Sequence, residues 1–207
     1  MFTGIIQDVG TIVAIHREME QTHMRFATHL RTDLPGSAWQ LGDSIAVDGC
    51  CLTVTELDRN ASIHQFTATL SLETLRRTCF NNARVGKKIN IEPALCMGDR
   101  LGGHLVTGHI DATMRLVVMH TVGEHLQMQW SVPRPFRPYV IQKGSIAING
   151  VSLTLNEVDD KTVTVNLIPH TLAHTNLGTL TVGDEANLET DMMGRYVERI
   201  LSYQERP

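Results

Sequence analysis

The chain has 207 residues, 42% of them apolar, and a formal net charge of −4 from 22 acidic and 18 basic side chains. With no basic run longer than a pair such as Lys87-Lys88, that balance argues against nucleic acid as a partner. No stretch approaches the ~20 consecutive apolar residues of a membrane-spanning helix, so no membrane partner is expected.

In chain order, short β-branched segments dominate. Repeat residues begin at Met1, so no signal peptide is expected. Thr11–Ile15, Ser44–Val47, Leu52–Leu57 and Lys88–Glu92 read as strands, separated by Asp43, Asp48-Gly49, Asp58–Asn60 and Val85-Gly86. The second half repeats the pattern with Ser145–Ile148, Leu153–Leu155 and Thr162–Leu167. Many short, closely spaced strands with turn signals indicate a sandwich or small barrel. Asp48-Gly49 and Asn149-Gly150 are expected to form hairpin turns, because both residues of each pair tolerate positive φ. Ser71–Thr78 and Pro169–His174 read as single helical turns that start at Ser71 and Pro169. Near the end, Met192, Met193, Tyr196, Val197, Ile200 and Leu201 recur at three- and four-residue spacing. They predict an amphipathic helix of about three or four turns. Its apolar face needs a partner, either its own domain or, in preference, other copies of the chain.

One decapeptide occurs twice. Ser44-Ile-Ala-Val-Asp-Gly-Cys-Cys-Leu-Thr53 returns about half the chain later as Ser145-Ile-Ala-Ile-Asn-Gly-Val-Ser-Leu-Thr154. Thr3–Ile6 matches Thr107–Ile110, Glu73–Thr78 matches His170–Thr175, and Val85–Glu92 matches Val182–Glu189. A repeat of this kind decides the architecture: residues 1–97 and 98–189 are two homologous domains, and 190–207 form the terminal helix. Small length differences fall upstream of Ser44 and between Asp58 and Leu70, where loops are expected.

Several familiar motifs are missing. Gly102-Gly103-His104 has too little around it to cradle a pyrophosphate. The spacing of His104 and His109 suits no zinc motif, so no metal is expected. Ser152 lacks a GxSxG elbow. Cysteines 50, 51, 79 and 96 form no CxxC pair, which favours a reducing cytoplasm over a disulfide framework. There the sequon Asn60-Ala-Ser62 carries no meaning. Cys51 reads either as a thiolate nucleophile or as a small core residue. Asp191, between a strand and a helix, reads first as a helix cap.

Met1–Ile5, Asp48–Val54, Gly102–Ile110, Lys143–Thr154 and Gly194–Arg199 together resemble the riboflavin synthase family of the single-polypeptide α type. The resemblance runs in order from residue 1 to about residue 201. It implies an all-β fold of two tandem six-stranded Greek-key barrels with a C-terminal α-helix, assembled as a homotrimer. The implied reaction joins two molecules of 6,7-dimethyl-8-ribityllumazine. One gives a four-carbon unit to the other, yielding riboflavin and 5-amino-6-ribitylaminouracil. No cofactor is implied, although product riboflavin can co-purify, and association with lumazine synthase is an implied further partnership.

Matched residue by residue, the family implies Phe2, Cys51, His109, Ser152 and Asp191 as the catalytic set. Ser44 and Lys143 would support the ring and ribityl chain. The pockets would be lined by Gly4, Ile5 and Ile6, by Cys51, Leu52 and Thr53, and by Thr69, Leu70, Ser71, Leu72, Glu73 and Thr74. Gly108, His109 and Ile110 would join them, with Ser152, Leu153 and Thr154, and with Asn166, Leu167, Ile168, Pro169, His170 and Thr171. The site is expected between the first barrel of one subunit and the second barrel of its neighbour.

The copies also differ in telling ways. Gly4/Gly108, Thr53/Thr154 and Thr74/Thr171 are shared, whereas Cys51 faces Ser152, Ile5 faces His109, Phe2 faces Val106 and Ala94 faces Asp191 in the alignment. Polar, proton-handling residues thus collect in the second copy, and the two pockets are expected to treat donor and acceptor differently. Two rival readings are a non-catalytic relative of the lumazine-binding antenna proteins of luminous bacteria, and a flavin-binding barrel of an oxidoreductase.

Overall fold

The structure, a computed structural model, describes residues 1–30, 39–58 and 63–204. The sequon at 60–62 and part of the Asp58–Asn60 turn lie outside the described residues. In the first half, β1 (Asp8–Arg17), β2 (Gln21–Thr28), β3 (Ser44–Val47), β4 (Cys50–Asp58), β5 (His64–Ser71) and β6 (Lys88–Pro93) close an antiparallel barrel in the order β1-β2-β5-β4-β3-β6. In the second, β7 (Ala112–Val122), β8 (His125–Ser131), β9 (Ser145–Ile148), β10 (Val151–Val158), β11 (Thr162–Leu167) and β12 (Glu185–Thr190) close in the same cycle. Closure leaves neither sheet with an unpaired edge.

Period-two alternation decides what each barrel buries. In β4, Cys50, Leu52 and Val54 point inward while Cys51 and Thr53 face out; in β10, Val151, Leu153 and Leu155 are inside while Ser152 and Thr154 face out. Phe26, Phe66 and Phe80 make tilted ring contacts in the first core, and Trp130 is fully buried in the second.

Two short helices follow the fifth strand of each barrel, α1 (Leu72–Arg77) and α2 (Pro169–His174). Ser71 caps α1 by accepting from the Thr74 N–H at 3.1 Å, and Pro169 occupies the first turn of α2. The terminal helix α3 (Met192–Gln204) has no buried residue within the chain.

The barrels meet about an internal two-fold axis visible in reciprocal contacts. Phe2 and Val106 exchange backbone hydrogen bonds of 2.8 and 3.1 Å. The hairpin turns adopt positive φ, at 44° and 78° for Asp48-Gly49 and at 46° and 79° for Asn149-Gly150. The two turns abut so closely that a Cβ on Gly49 would lie 2.6 Å from the Gly150 nitrogen. Asn90 Nδ2 donates to the Asn149 carbonyl and Asn187 Nδ2 to the Asp48 carbonyl, both at 2.9 Å. Beside this polar network Phe2, Ala46, Val106 and Ala147 form an apolar cluster between the barrels.

Candidate active site

Each barrel receives a strap that is tethered at one end and crosses to the other barrel. Thr3 donates to Glu92 Oε1 through both its N–H and its hydroxyl at 2.7 Å, and the Gly4 N–H donates to Oε2 at 3.0 Å. The Gly4 carbonyl then accepts from the Ser152 N–H at 2.8 Å. The second copy repeats this: Thr107 and Gly108 donate to Glu189 at 2.7 to 2.9 Å, and the Gly108 carbonyl accepts from the Cys51 N–H at 2.8 Å. Burial pushes the carboxyls of Glu92 and Glu189 above their ordinary value, against the opposing pull of these hydrogen bonds. Glycine is required at both crossings. Gly4 and Gly108 have φ of 75° and 82°, and a Cβ on either would sit 2.5 Å from the Cβ of Ser152 or Cys51.

The crossing therefore brings each strap against a strand of the other copy. Cys51, Leu52 and Thr53 on β4 and Thr69–Thr74 on β5 and α1 belong to the first barrel, which the second strap joins where Gly108 bonds Cys51 and Ile110 packs against the core. Ser152, Leu153 and Thr154 on β10 and Asn166–Thr171 on β11 and α2 meet Gly4, Ile5 and Ile6 from the first strap. His109, Ser152 and Asp191 all belong to the second copy in sequence, and the strap that carries His109 is the one bonded to Cys51 of the first.

Burial sorts the candidates further. His109, Thr53, Thr154, Asn166, Ile5 and Glu73 are exposed, and Cys51, Ser152, Thr69, Thr74 and Thr171 are half-buried. Leu52, Leu70, Leu153 and Leu167 turn their side chains into the barrel cores, which leaves only their backbones for any contact outside. Phe2 is fully buried, packing against Cys51 and Gly108, so its ring reaches the pocket through those neighbours rather than directly. His170 stacks on His174 with ring centroids 4.1 Å apart, at the position where the first copy has Glu73. Ser44 pairs with Thr53 across the β3–β4 ladder. Lys143 is exposed and sits in the left-handed region at φ 65°, where the first copy has Gly42 at φ 91°. A lysine held in a conformation natural to glycine is strained locally, a pattern that clusters at functional sites.

One residue escaped the sequence reading. His104 Nδ1 lies 2.7 Å from the Ser152 hydroxyl oxygen. Burial lowers its pKa from 6.5, and the nearby Asp191 charge opposes that. The signal was the glycine pair before it: a Cβ on Gly103 would meet the Thr3 carbonyl at 2.2 Å and the Ser152 Cβ at 2.7 Å. That close passage is what delivers His104 to Ser152. Asp191 also caps α3, accepting from the Met193 N–H at 3.0 Å. Cys50 points into the core, and burial pushes its thiol up to about 12, which makes it inert beside its half-buried neighbour. Among the described residues no group of three or more His, Cys, Asp or Glu side chains could hold a metal.

The two alike barrels, each with its strap, match the lumazine binding domain over residues 3–94 and again over 107–191. The chain is 40% identical to a riboflavin synthase of Photobacterium leiognathi over 201 residues, covering 97% of this chain and 89% of that protein. It is 37% identical to the riboflavin synthase of Bacillus subtilis over 201 residues, covering 97% and 90%. The chain belongs to the riboflavin synthase family. Among solved structures it is similar to LumP complexed with 6,7-dimethyl-8-(1'-D-ribityl) lumazine, with a TM-score of 0.76, 28% identity and coverage of 92% of this chain and 99% of that one. LumP complexed with riboflavin matches with a TM-score of 0.78. Riboflavin synthase relatives are thus closer in sequence than LumP, and the strap residues, Cys51 and Ser152 all lie within the matched domains.

Proposed function

We propose that the chain is a riboflavin synthase, converting two molecules of 6,7-dimethyl-8-ribityllumazine into riboflavin and 5-amino-6-ribitylaminouracil. The observation that carries this reading is near-full-length identity of 37–40% to riboflavin synthases, on a chain that keeps polar groups on both pocket faces. The atoms of the two products are those of the two substrates, so the dismutation has no need of an outside oxidant.

Holding two copies of one substrate side by side turns an encounter in solution into a local event, an advantage of up to ~7–11 kcal/mol. The C7 methyl of the donor must lose a proton, and C7 of the acceptor must take a nucleophile. The donor anion spreads into the ring, so modest bases suffice. In the second pocket, Ser152 hydrogen-bonded to a neutral His104 forms a hydroxyl with a proton acceptor behind it. In the first, the strap that carries His109 is bonded to Cys51 through Gly108, and Phe2 packs against both Cys51 and Gly108 from the core side. Lys143 and Ser44 would support the ring and ribityl chain.

We assign a homotrimer in which one chain's first pocket faces a neighbour's second. Support comes from α3, whose Val197, Ile200 and Leu201 are more than half exposed in the single chain. A cytoplasmic setting accords with four free cysteines. Association with lumazine synthase belongs to the same reading.

The test is to add the lumazine without any cofactor and follow its absorbance. Conversion to riboflavin is expected, and Cys51→Ser should fold normally yet turn over on the order of 10-fold more slowly. A stable coloured complex without conversion would place the chain with the antenna proteins instead.

A further inference from the structure

Thr69 ends a row of side chains that crosses the outside of the first barrel. His23 pairs with His16 in the β1–β2 ladder and with Thr69 in the β2–β5 ladder. These three face outward, since Met24, Phe26, Ala68 and Leu70 take the inward positions. Together with the Arg25–Thr67–Glu56 row beside them they line a groove of about 450 Å³. The groove ends at the first residue of the proposed substrate-binding segment.

Both nitrogens of His23 face polar groups. Its Nδ1 lies 3.0 Å from Thr69 Oγ1, and its Nε2 lies 3.6 Å from Glu18 Oε1, a carboxylate oxygen that is also 3.6 Å from His16 Nε2. A carboxylate on the Nε2 side favours the tautomer with its proton there, leaving Nδ1 as an acceptor. The Thr69 hydroxyl then donates to His23, and its lone pairs turn toward the pocket. The second barrel has a different row at the matching place: Asn166 pairs with Gln127, and Gln127 with His120. The Gln127 amide is carried one carbon further from its backbone than the Nδ1 of a histidine, so this device is confined to the first pocket.

We propose that His23 is a positioning residue of the first pocket: by accepting the Thr69 hydroxyl proton, it makes Thr69 an acceptor for a hydroxyl or N–H of the bound substrate. The proposal rests on the reading that the chain acts on a ribityllumazine and that Thr69 lines its pocket. It also marks a second place, beyond Cys51 and Ser152, where the two pockets handle the same molecule differently.

Steady-state kinetics and equilibrium binding of 6,7-dimethyl-8-ribityllumazine to the full chain test this. His23→Gln, which carries the residue of the second barrel, should raise KM about 3–10-fold while kcat stays within about twofold, as loss of one oriented hydrogen bond implies. His23→Asn places an amide oxygen near the Nδ1 position and should restore KM to within about twofold of the parent. Thr69→Val should raise KM as His23→Gln does, and the double variant should be no worse than either single one. An unchanged KM in His23→Gln, a fall in kcat at constant KM, an Asn variant as impaired as Gln, or additive losses would each overturn the proposal. A parent protein that binds the lumazine without converting it would sink the activity alone, and the same order of variants would then appear in Kd. No binding at all would sink both.

Discussion

The Nδ1 of His104 lies 2.7 Å from the hydroxyl of Ser152, and the charge of Asp191 acts on the same imidazole. The ring stays neutral to lower pH than an ordinary histidine because burial lowers its pKa from 6.5. A base must be neutral to work, so kcat/KM should fall on the acid side with a midpoint below that value. His104→Gln should abolish this limb and reduce turnover about 100-fold. Asp191→Asn removes the influence that raises the pKa and should move the limb to still lower pH. The pH–rate profiles of the three proteins check it, and an unaltered limb in His104→Gln would exclude the role.

Asp48 and Asn149 occupy matching turns, but only Asp48 can ionise. Its side chain is fully buried, Oδ2 has no hydrogen-bond partner, and Lys87 Nζ stands 3.5 Å away. Burial raises its pKa above 3.8, more than Lys87 and the Asn90 and Asn176 hydrogen bonds lower it. A raised folded pKa means its contribution to stability is complete below the unfolded value and is lost as pH rises through the folded one. Asp48→Asn should therefore flatten the fall in stability from about pH 4 upward. At neutral pH the variant should be as stable as the parent or more so, by up to about 3 kcal/mol. Urea unfolding across that range measures both.

Lys143→Gly separates stability from binding. Relief of a left-handed lysine should stabilise the chain by about 1 kcal/mol, while the substrate KM rises severalfold if Lys143 holds the ribityl chain or ring. Thermal unfolding and kinetics on the same sample give the answer. Weaker folding with unchanged KM would remove Lys143 from the site.

The exposed face of α3 predicts assembly. Ile200 is 57% and Val197 54% exposed in the single chain, so Ile200→Glu or Val197→Glu should leave both barrels folded. Sedimentation at micromolar concentration should show the parent as a trimer and these variants as smaller species with little turnover. A monomeric parent would contradict the trimer.

Much of the fold was legible in advance. Ser44–Val47, Ser145–Ile148 and Thr162–Leu167 coincide with β3, β9 and β11, and the Asp-Gly and Asn-Gly pairs form the expected turns. The α3 pattern likewise matched, with the helix running on to Gln204. Strands β2, β7 and β8 carry weaker signals. Inward Thr22 and Thr28 in β2 flank Met24 and Phe26, so buried threonines blur the alternation. His104 was dismissed because its spacing from His109 suits no metal, yet its partner is a serine brought from another strand.

By itself the sequence determined that the chain holds two copies of one barrel, because turn chemistry and alternating hydrophobicity are local and were written twice. Gly4 and Gly108 are shared in the sequence as well, but that they sit at crossings, where only glycine tolerates the backbone, came from the structure. Which copy each strap serves was decided by the tertiary structure alone. Gly4 bonds Ser152 and Gly108 bonds Cys51 because Glu92 and Glu189 tether each strap while the two-fold contact of Phe2 with Val106 passes it to the opposite barrel. Contacts so distant along the chain leave no periodicity behind, so the bond of Gly108 to Cys51, and of His104 to Ser152, could be seen only once the barrels were set face to face.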